Sequence, residues 1–334
     1  MISAHTSPTS AHHFATLAEA ASALAHGATP QGQLDPRATV SFEVMPPRNP
    51  QAAPKFWSTV DRLVAARPDF ISITYGAGGQ DRRGAREAAS IIARHSPTPP
   101  MAHFTCVGTS AAEIRAITNE YLDAGIRTFL ALRGDPPAGN PNWRPADDAL
   151  TSAADLIRLL REVEFTRCAA HPGTALRGSL SPLRIGVATF PCGNPAAGTT
   201  REQEVERLVA KQVAGADFAI TQMLWRAEDY HLFVCAARAA GVTIPIIPGI
   251  LPPVEVRRLH RVAELTGVEA PRDLLHSLEA CVTEAHTRTI GIGIAARLAS
   301  DLIEAGAPGV HIYTFNRAEP ALATLHAAKL LLPS

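Results

Sequence analysis

The sequence predicts an α/β protein, a single (β/α)8 or TIM barrel over residues 39–334 behind a flexible N-terminal extension, residues 1–38. Three observations carry that prediction. Eight short apolar or β-branched runs alternate with longer stretches whose apolar residues recur at helical spacing. The runs are almost continuously apolar, as strands buried on both faces of a parallel sheet are. The 334 residues also leave room for one such barrel, which needs about 250. An open doubly wound sheet is the competing architecture. No Gly-x-Gly-x-x-Gly follows the first strand, and the turn Gly76-Ala77-Gly78-Gly79 lacks the Lys-Ser/Thr of a phosphate-binding loop. The barrel is therefore preferred.

In chain order the strands are TVSFEVM (39–45), FISITY (70–75), MAHFTCV (101–107) and TFLALR (128–133). RIGVAT (184–189), FAITQM (218–223), IPIIPGI (244–250) and GVHIYT (309–314) follow. Helical spacing marks the segments between them, among them FWSTVDRLVAAR, EIRAITNEYLDAG and REQEVERLVAKQVAGA. Gly125, Gly215, Gly241 and Gly306 stand just before strands, where a left-handed residue ends a helix. The stretch 251–304 is too long for one helix and should hold two or three. Ahead of the first strand the chain is rich in Ala, Ser, Thr and His, and residues 14–26 have the spacing of one amphipathic helix. This segment lacks both the apolar centre of a secretory signal and the arginines of a transit peptide. His5, His12 and His13 read as surface residues of a tail. No linker or repeat divides the remainder.

Thirty-one Lys+Arg balance 31 Asp+Glu, so the chain has no electrostatic footprint for nucleic acid or an anionic membrane. No apolar run approaches the roughly 20 residues of a membrane-spanning helix. A cytoplasmic location is expected. Cys106, Cys168, Cys192, Cys235 and Cys281 are dispersed without Cys-x-x-Cys spacing, which argues against a disulfide framework and a structural zinc site. Cys106 reads as a small packing residue. His103, His231, His260 and His311 fall on different elements without metal-binding spacing, so no metal is expected. No Gly-x-Ser-x-Gly elbow is present.

In a barrel, function sits where strands meet their following loops, and unusual polar residues collect there. Glu43 lies inside an apolar strand, where a carboxylate is costly unless neutral or paired. Burial would keep it protonated near neutral pH, as a general acid requires. An ion pair with a neighbour such as Arg48 is the alternative. Thr74 and Tyr75 end the second strand, and His103 and Thr105 sit on the third, where a lone histidine is more often a satisfied core residue. Arg133-Gly134-Asp135-Pro136-Pro137 sets opposite charges on a rigid turn, although the two could neutralise one another. Gln222 both donates and accepts, and so suits the edge of a heterocycle. Asn316-Arg317-Ala318-Glu319 forms a second polar cluster. One rim, many polar groups: an enzyme pocket.

At these residues the chain resembles the methylenetetrahydrofolate reductase family. SFEVMPPR, ISITYGAGG, HFTCVGTS, ALRGDPP, KQVAGADFAITQ, IIPGILP and IYTFNRAE carry the resemblance, in order, from about residue 40 to 320. It implies an oxidoreductase acting on a CH–NH donor, in one-carbon metabolism and methionine supply. Hydride would pass from NADH or NADPH through FAD to 5,10-methylenetetrahydrofolate, giving 5-methyltetrahydrofolate. Glu43 matches the family's proton donor to folate N10, and Asp135 the carboxylate beside flavin and pterin. Gln222 matches the residue that contacts pterin and nicotinamide alternately, and Arg317 one on the folate side. Thr74, Tyr75, Ala77, His103, Arg133, Gly134, Asp135, Ala153, Ala197 and Lys211 match flavin contacts. Arg133 and Lys211 are implied partners of the pyrophosphate. A homo-oligomer is implied as well.

The departures cluster. Phe190-Pro191-Cys192-Gly193-Asn194-Pro195 stands where the family commonly has Tyr-Pro-Glu-x-His-Pro, so Phe190 can stack on the flavin ring but not donate to it. Asn194 is a shorter, uncharged substitute. Glu204 replaces Asp, Arg207 and Ala210 replace Asn and Arg, and Arg258 replaces a folate-side Gln. Ordinary FAD binding with altered contacts is one consequence, and a flavin-poor reductase of the same folate is the other. A pterin-binding methyltransferase and a non-catalytic folate-binding subunit are the remaining alternatives on this barrel.

Overall fold

A computed structural model of the chain describes residues 38–47, 49–75, 82–134, 149–171 and 182–331. The expected helix at 14–26, with Arg48, Ala77 and Asp135, lies outside these residues. Eight parallel strands close into a barrel in sequence order: β1 (Thr39–Val44), β2 (Phe70–Ile73), β3 (Pro100–Thr105), β4 (Thr128–Leu132), β5 (Arg184–Thr189), β6 (Phe218–Met223), β7 (Ile246–Ile250) and β8 (Gly309–Tyr313). Closure is direct, since Glu43 of β1 pairs with Ser72 of β2 on one side and Tyr313 of β8 on the other. Every expected strand is found. β7 starts later than expected, at Ile246, after Pro245, which has no N–H to give a ladder.

Around the barrel run α1 (Ala53–Ala65), α2 (Arg82–His95), α3 (Ala111–Asp123), α4 (Ala153–Ala170), α5 (Arg201–Val213) and α6 (Ala227–Ala239). The stretch 251–304 resolves into α7 (Val256–Thr266), α8 (Arg272–Glu279) and α9 (Glu284–Glu304), and α10 (Ala318–Ala327) follows β8. Gly267, left-handed at φ 71°, ends α7, and Thr283 accepts from His286 N to start α9. The four glycines expected to end helices all have positive φ. Ser110, Ser152 and Thr200 open α3, α4 and α5 with reciprocal capping boxes, through Glu113, Asp155 and Gln203. Each such cap stabilises by about 1 kcal/mol and fixes a loop leaving the upper end of a strand. Among the described residues no helix is long and apolar enough to cross a membrane.

Alternation along the strands divides the core in two. Phe42, Ile71, Phe104, Phe129, Val187 and Ile312 face outward into the main cluster under the helices. The inward set fills the barrel's floor: Phe70, Met101, Leu130, Phe218, Ile220 and Ile247. Phe70 of β2 meets Phe218 of β6 across the interior, with ring centroids 6.0 Å apart. Gly186 makes that possible, because a Cβ there would stand 2.6 Å from the Phe218 ring. Polar side chains rest on this apolar floor.

Candidate active site

Four strands supply the polar interior. On β1 the inward residues are Ser41 and Glu43, on β8 His311 and Tyr313, with Ser72 on β2 and His103 on β3. Ser41, Ser72 and His311 are at most 1% exposed. Ser41 Oγ lies 2.8 Å from His311 Nδ1, and the His311 ring stacks on Phe70. Ser72 Oγ lies 2.5 Å from Nε2 of His103. Glu43 Oε2 stands farther from the same nitrogen, at 3.6 Å.

Burial sets the charge states of this group. Burial among apolar walls pushes the Glu43 carboxyl up to about 8. Burial pushes the imidazoles of His103 and His311 down to about 3. At neutral pH Glu43 is therefore an acid holding its proton beside a neutral histidine, and the close approach is not an ion pair. Its side chain keeps 18% of its surface open. Arg48, the ion-pair partner of the alternative reading, lies outside the described residues.

The loops clamp this strand end. Thr314 Oγ1 donates to Glu43 O at 2.6 Å, and Asn316 bonds both backbone atoms of Met45. Tyr313 donates its hydroxyl to Thr221 O at 2.7 Å. Gly249 leaves room for it, since a Cβ there would meet Thr221 O and the Tyr313 ring at 2.5 Å.

The other expected residues fall into groups. Phe190 and Gln222 share a cavity of about 240 Å³ with Met223, Trp225 and Pro271, between the loop after β5, the end of β6 and the turn before α8. Gln222 Oε1 accepts from Met223 N, which leaves its amide N–H groups for another partner. Arg317 and Arg258 converge on Glu255, at 3.1 and 3.6 Å, and Arg258 also lies over the Phe315 ring. Thr74 is partly buried just past β2, and Tyr75 packs its ring into the core against Phe104. Ala153 is the first residue of α4. Cys106 is buried, as expected of a packing residue, its thiol towards Arg133 O.

For a flavin diphosphate, the informative residue is Lys211. Its ammonium reaches from α5 to Ala188 O of β5, at 2.7 Å, and burial pushes it down to about 8. A buried ammonium with two donors left unpaired among the described residues is suited to an anionic oxygen. Arg133 is exposed at the mouth, where Gly134 has φ 83° and a Cβ would strike Val107. Only glycine fits that turn. Glu204 is 1% exposed and accepts from Thr199 and Arg207, so it also holds the loop to α5. Asn194 closes that loop by pairing its backbone with Thr199, and Ala197 is exposed on it. These residues fit the group.

Sequence reasoning missed Ser72, Tyr313 and Glu255. The first two carried a signal. Ser72-x-Thr74 at the end of β2 and His311-x-Tyr313 on β8 repeat polar residues at period two, which puts them on the inward face.

Residues 31–329 match the family model described as methylenetetrahydrofolate reductase. The chain is 32% identical over 297 residues to the 5,10-methylenetetrahydrofolate reductase of Escherichia coli (strain K12), covering 89% of this chain and 91% of that protein. To methylenetetrahydrofolate reductase 1 of Schizosaccharomyces pombe it is 28% identical, over 84% of this chain and 44% of that protein. Among solved structures, a Clostridium thermocellum protein described as binding two copies of 5-methyl-5,6,7,8-tetrahydrofolic acid superposes with a TM-score of 0.54. That match has 17% identity and covers 88% of this chain and 94% of that one.

Proposed function

The chain belongs to the methylenetetrahydrofolate reductase family, and on that footing we propose that it reduces 5,10-methylenetetrahydrofolate to 5-methyltetrahydrofolate. NADH or NADPH would supply the hydride, and bound FAD would relay it. Every other task falls to side chains. Glu43 holds the proton that opens the folate's five-membered ring at N10, and its placement is the observation that carries the reading: a carboxyl on the inward face of β1, largely buried beside His103, whose titration burial pushes up to about 8. Its proton has no hydrogen-bond acceptor within the barrel among the described residues. Gln222, whose amide donors have no partner among the described residues, orients the pterin or the nicotinamide in turn. Arg258 and Arg317 keep a net positive charge after pairing with Glu255, which suits a carboxylate of the folate's glutamyl tail. Lys211 and Arg133 would hold the FAD pyrophosphate, and Phe190 would lie against the flavin ring. Asp135, two residues after Arg133 in sequence, would favour the cationic folate intermediate.

The test is product formation. Protein reconstituted with FAD and supplied with NADH, then NADPH, should convert methylenetetrahydrofolate to 5-methyltetrahydrofolate. Turnover without bound flavin would overturn the relay, and no turnover with either donor would overturn the activity.

A further inference from the structure

We infer that Ser72 is a positioning residue for Glu43: by occupying Nε2 of His103, it keeps the imidazole from engaging the glutamate's proton. The inference rests on the proton-donor role proposed for Glu43. The geometry is a competition for one nitrogen. Ser72 Oγ sits 2.5 Å from Nε2 and Glu43 Oε2 sits 3.6 Å from it, so the serine makes the hydrogen bond and the glutamate does not. Parallel pairing enforces the arrangement, because Glu43 and Ser72 are direct partners on β1 and β2 and project to the same side. Ser72 is completely buried and makes no other hydrogen bond among the described residues, so its hydroxyl is committed to the histidine.

An acid that must deliver its proton to a substrate is weakened by a neighbour that binds that proton. The surroundings of Glu43 would otherwise supply one. Among the described residues, the titratable groups facing it are His103 from β3 and Tyr313 from β8, and His311 lies one layer deeper, within electrostatic reach of His103. No lysine, arginine or second acid stands within ion-pair distance of it among those residues. Tyr313 already spends its hydroxyl proton on Thr221 O. His103 is thus the group able to capture the glutamate, and Ser72 blocks it. Without Ser72 the imidazole bonds Glu43 directly. If Nε2 accepts, the carboxyl's proton is sequestered and its titration moves up; if Nε2–H donates, the carboxylate is favoured and it moves down. Either way the folate step slows.

The experiment is a carboxyl 13C NMR titration of the resting, full-length protein with labelled glutamate, Glu43 being assigned from Glu43→Gln. Wild type, Ser72→Ala, Ser72→Thr and Ser72→Cys are compared, the last keeping the volume with a weak hydrogen-bonding group. Near-UV circular dichroism verifies the fold of each. The expected result is a displacement of the Glu43 midpoint by about one pH unit or more in Ser72→Ala and Ser72→Cys, and wild-type behaviour in Ser72→Thr. The folate half-reaction at pH 7 should slow about tenfold in the first two variants. A Glu43 midpoint that stays in place in a folded Ser72→Ala or Ser72→Cys overturns the inference. The titration needs no substrate: a moved midpoint in a protein that reduces no folate sinks the proposed function and leaves the role of Ser72 standing.

Discussion

The side chain of Asn316 makes two hydrogen bonds to the backbone of Met45, two residues beyond Glu43. Its Oδ1 accepts from Met45 N at 2.8 Å, and its Nδ2 donates to Met45 O at 2.6 Å. Asn316 holds a left-handed conformation, at φ 58°, which asparagine tolerates better than most residues. Asn316→Ala should lose both bonds and the tolerance. It should destabilise by about 1–3 kcal/mol, read by urea denaturation, and slow the folate step by loosening the strand end under Glu43. Asn316→Asp keeps the acceptor alone and should fall between.

The buried acid makes stability depend on pH. An unfolded glutamate ionises near 4.5 and Glu43 at about 8, so across that window the folded protein carries the extra proton. The contribution of Glu43 to stability therefore falls as pH rises from 4.5 to 8, and above 6.5 it sets the trend. Glu43→Gln should remove that decline and be more stable than wild type at pH 8.5 by a few kcal/mol, in urea titrations at pH 5, 7 and 8.5.

His103 and His311 give the opposite limb. Unfolded imidazoles bind protons near 6.5, folded ones at about 3, so stability drops as pH falls below 6.5. Glu43→Gln should retain this acid limb, and an unchanged alkaline limb in the variant would contradict the assignment of the first.

Arg258 and Arg317 share one carboxylate, Glu255. Arg258→Gln should raise KM for the folate roughly three- to tenfold with little change in kcat, and make KM less sensitive to salt. An equal fall in kcat would place Arg258 nearer the reaction than the tail.

Lys211 is a buried cation whose charged form is disfavoured. Lys211→Met should weaken FAD binding by about 10- to 100-fold, the value of one charge-assisted hydrogen bond, in a flavin fluorescence titration. Unaltered affinity would remove it from the cofactor site.

The barrel was legible in the sequence because buried parallel strands announce themselves by apolar runs and glycine-ended helices. Glu43 was legible for a related reason: a carboxylate stands out in a run such as Val40–Val44. The company it keeps was not. Ser72 and Tyr313 sit on strands 29 to 270 residues away from it in the chain, and only the register that pairs Glu43 with both shows they share a face. Glu255 was hidden similarly, as one charge on a loop that only the fold brings to Arg317. Glu204 and Lys211, read from the resemblance, turn out to have structural bonds of their own, to Thr199 and Ala188.

On the proposed mechanism Glu43 supplies a proton to the folate and takes no part in oxidising the nicotinamide donor. Anaerobic half-reactions of wild type and Glu43→Gln, reconstituted with FAD, test it most directly. The flavin absorbance should bleach with NADH or NADPH at similar rates in both proteins. On adding methylenetetrahydrofolate, wild type should recover its absorbance, while the variant recovers at least about 100-fold more slowly. Equal loss of both half-reactions, or undiminished recovery in Glu43→Gln, would contradict the account.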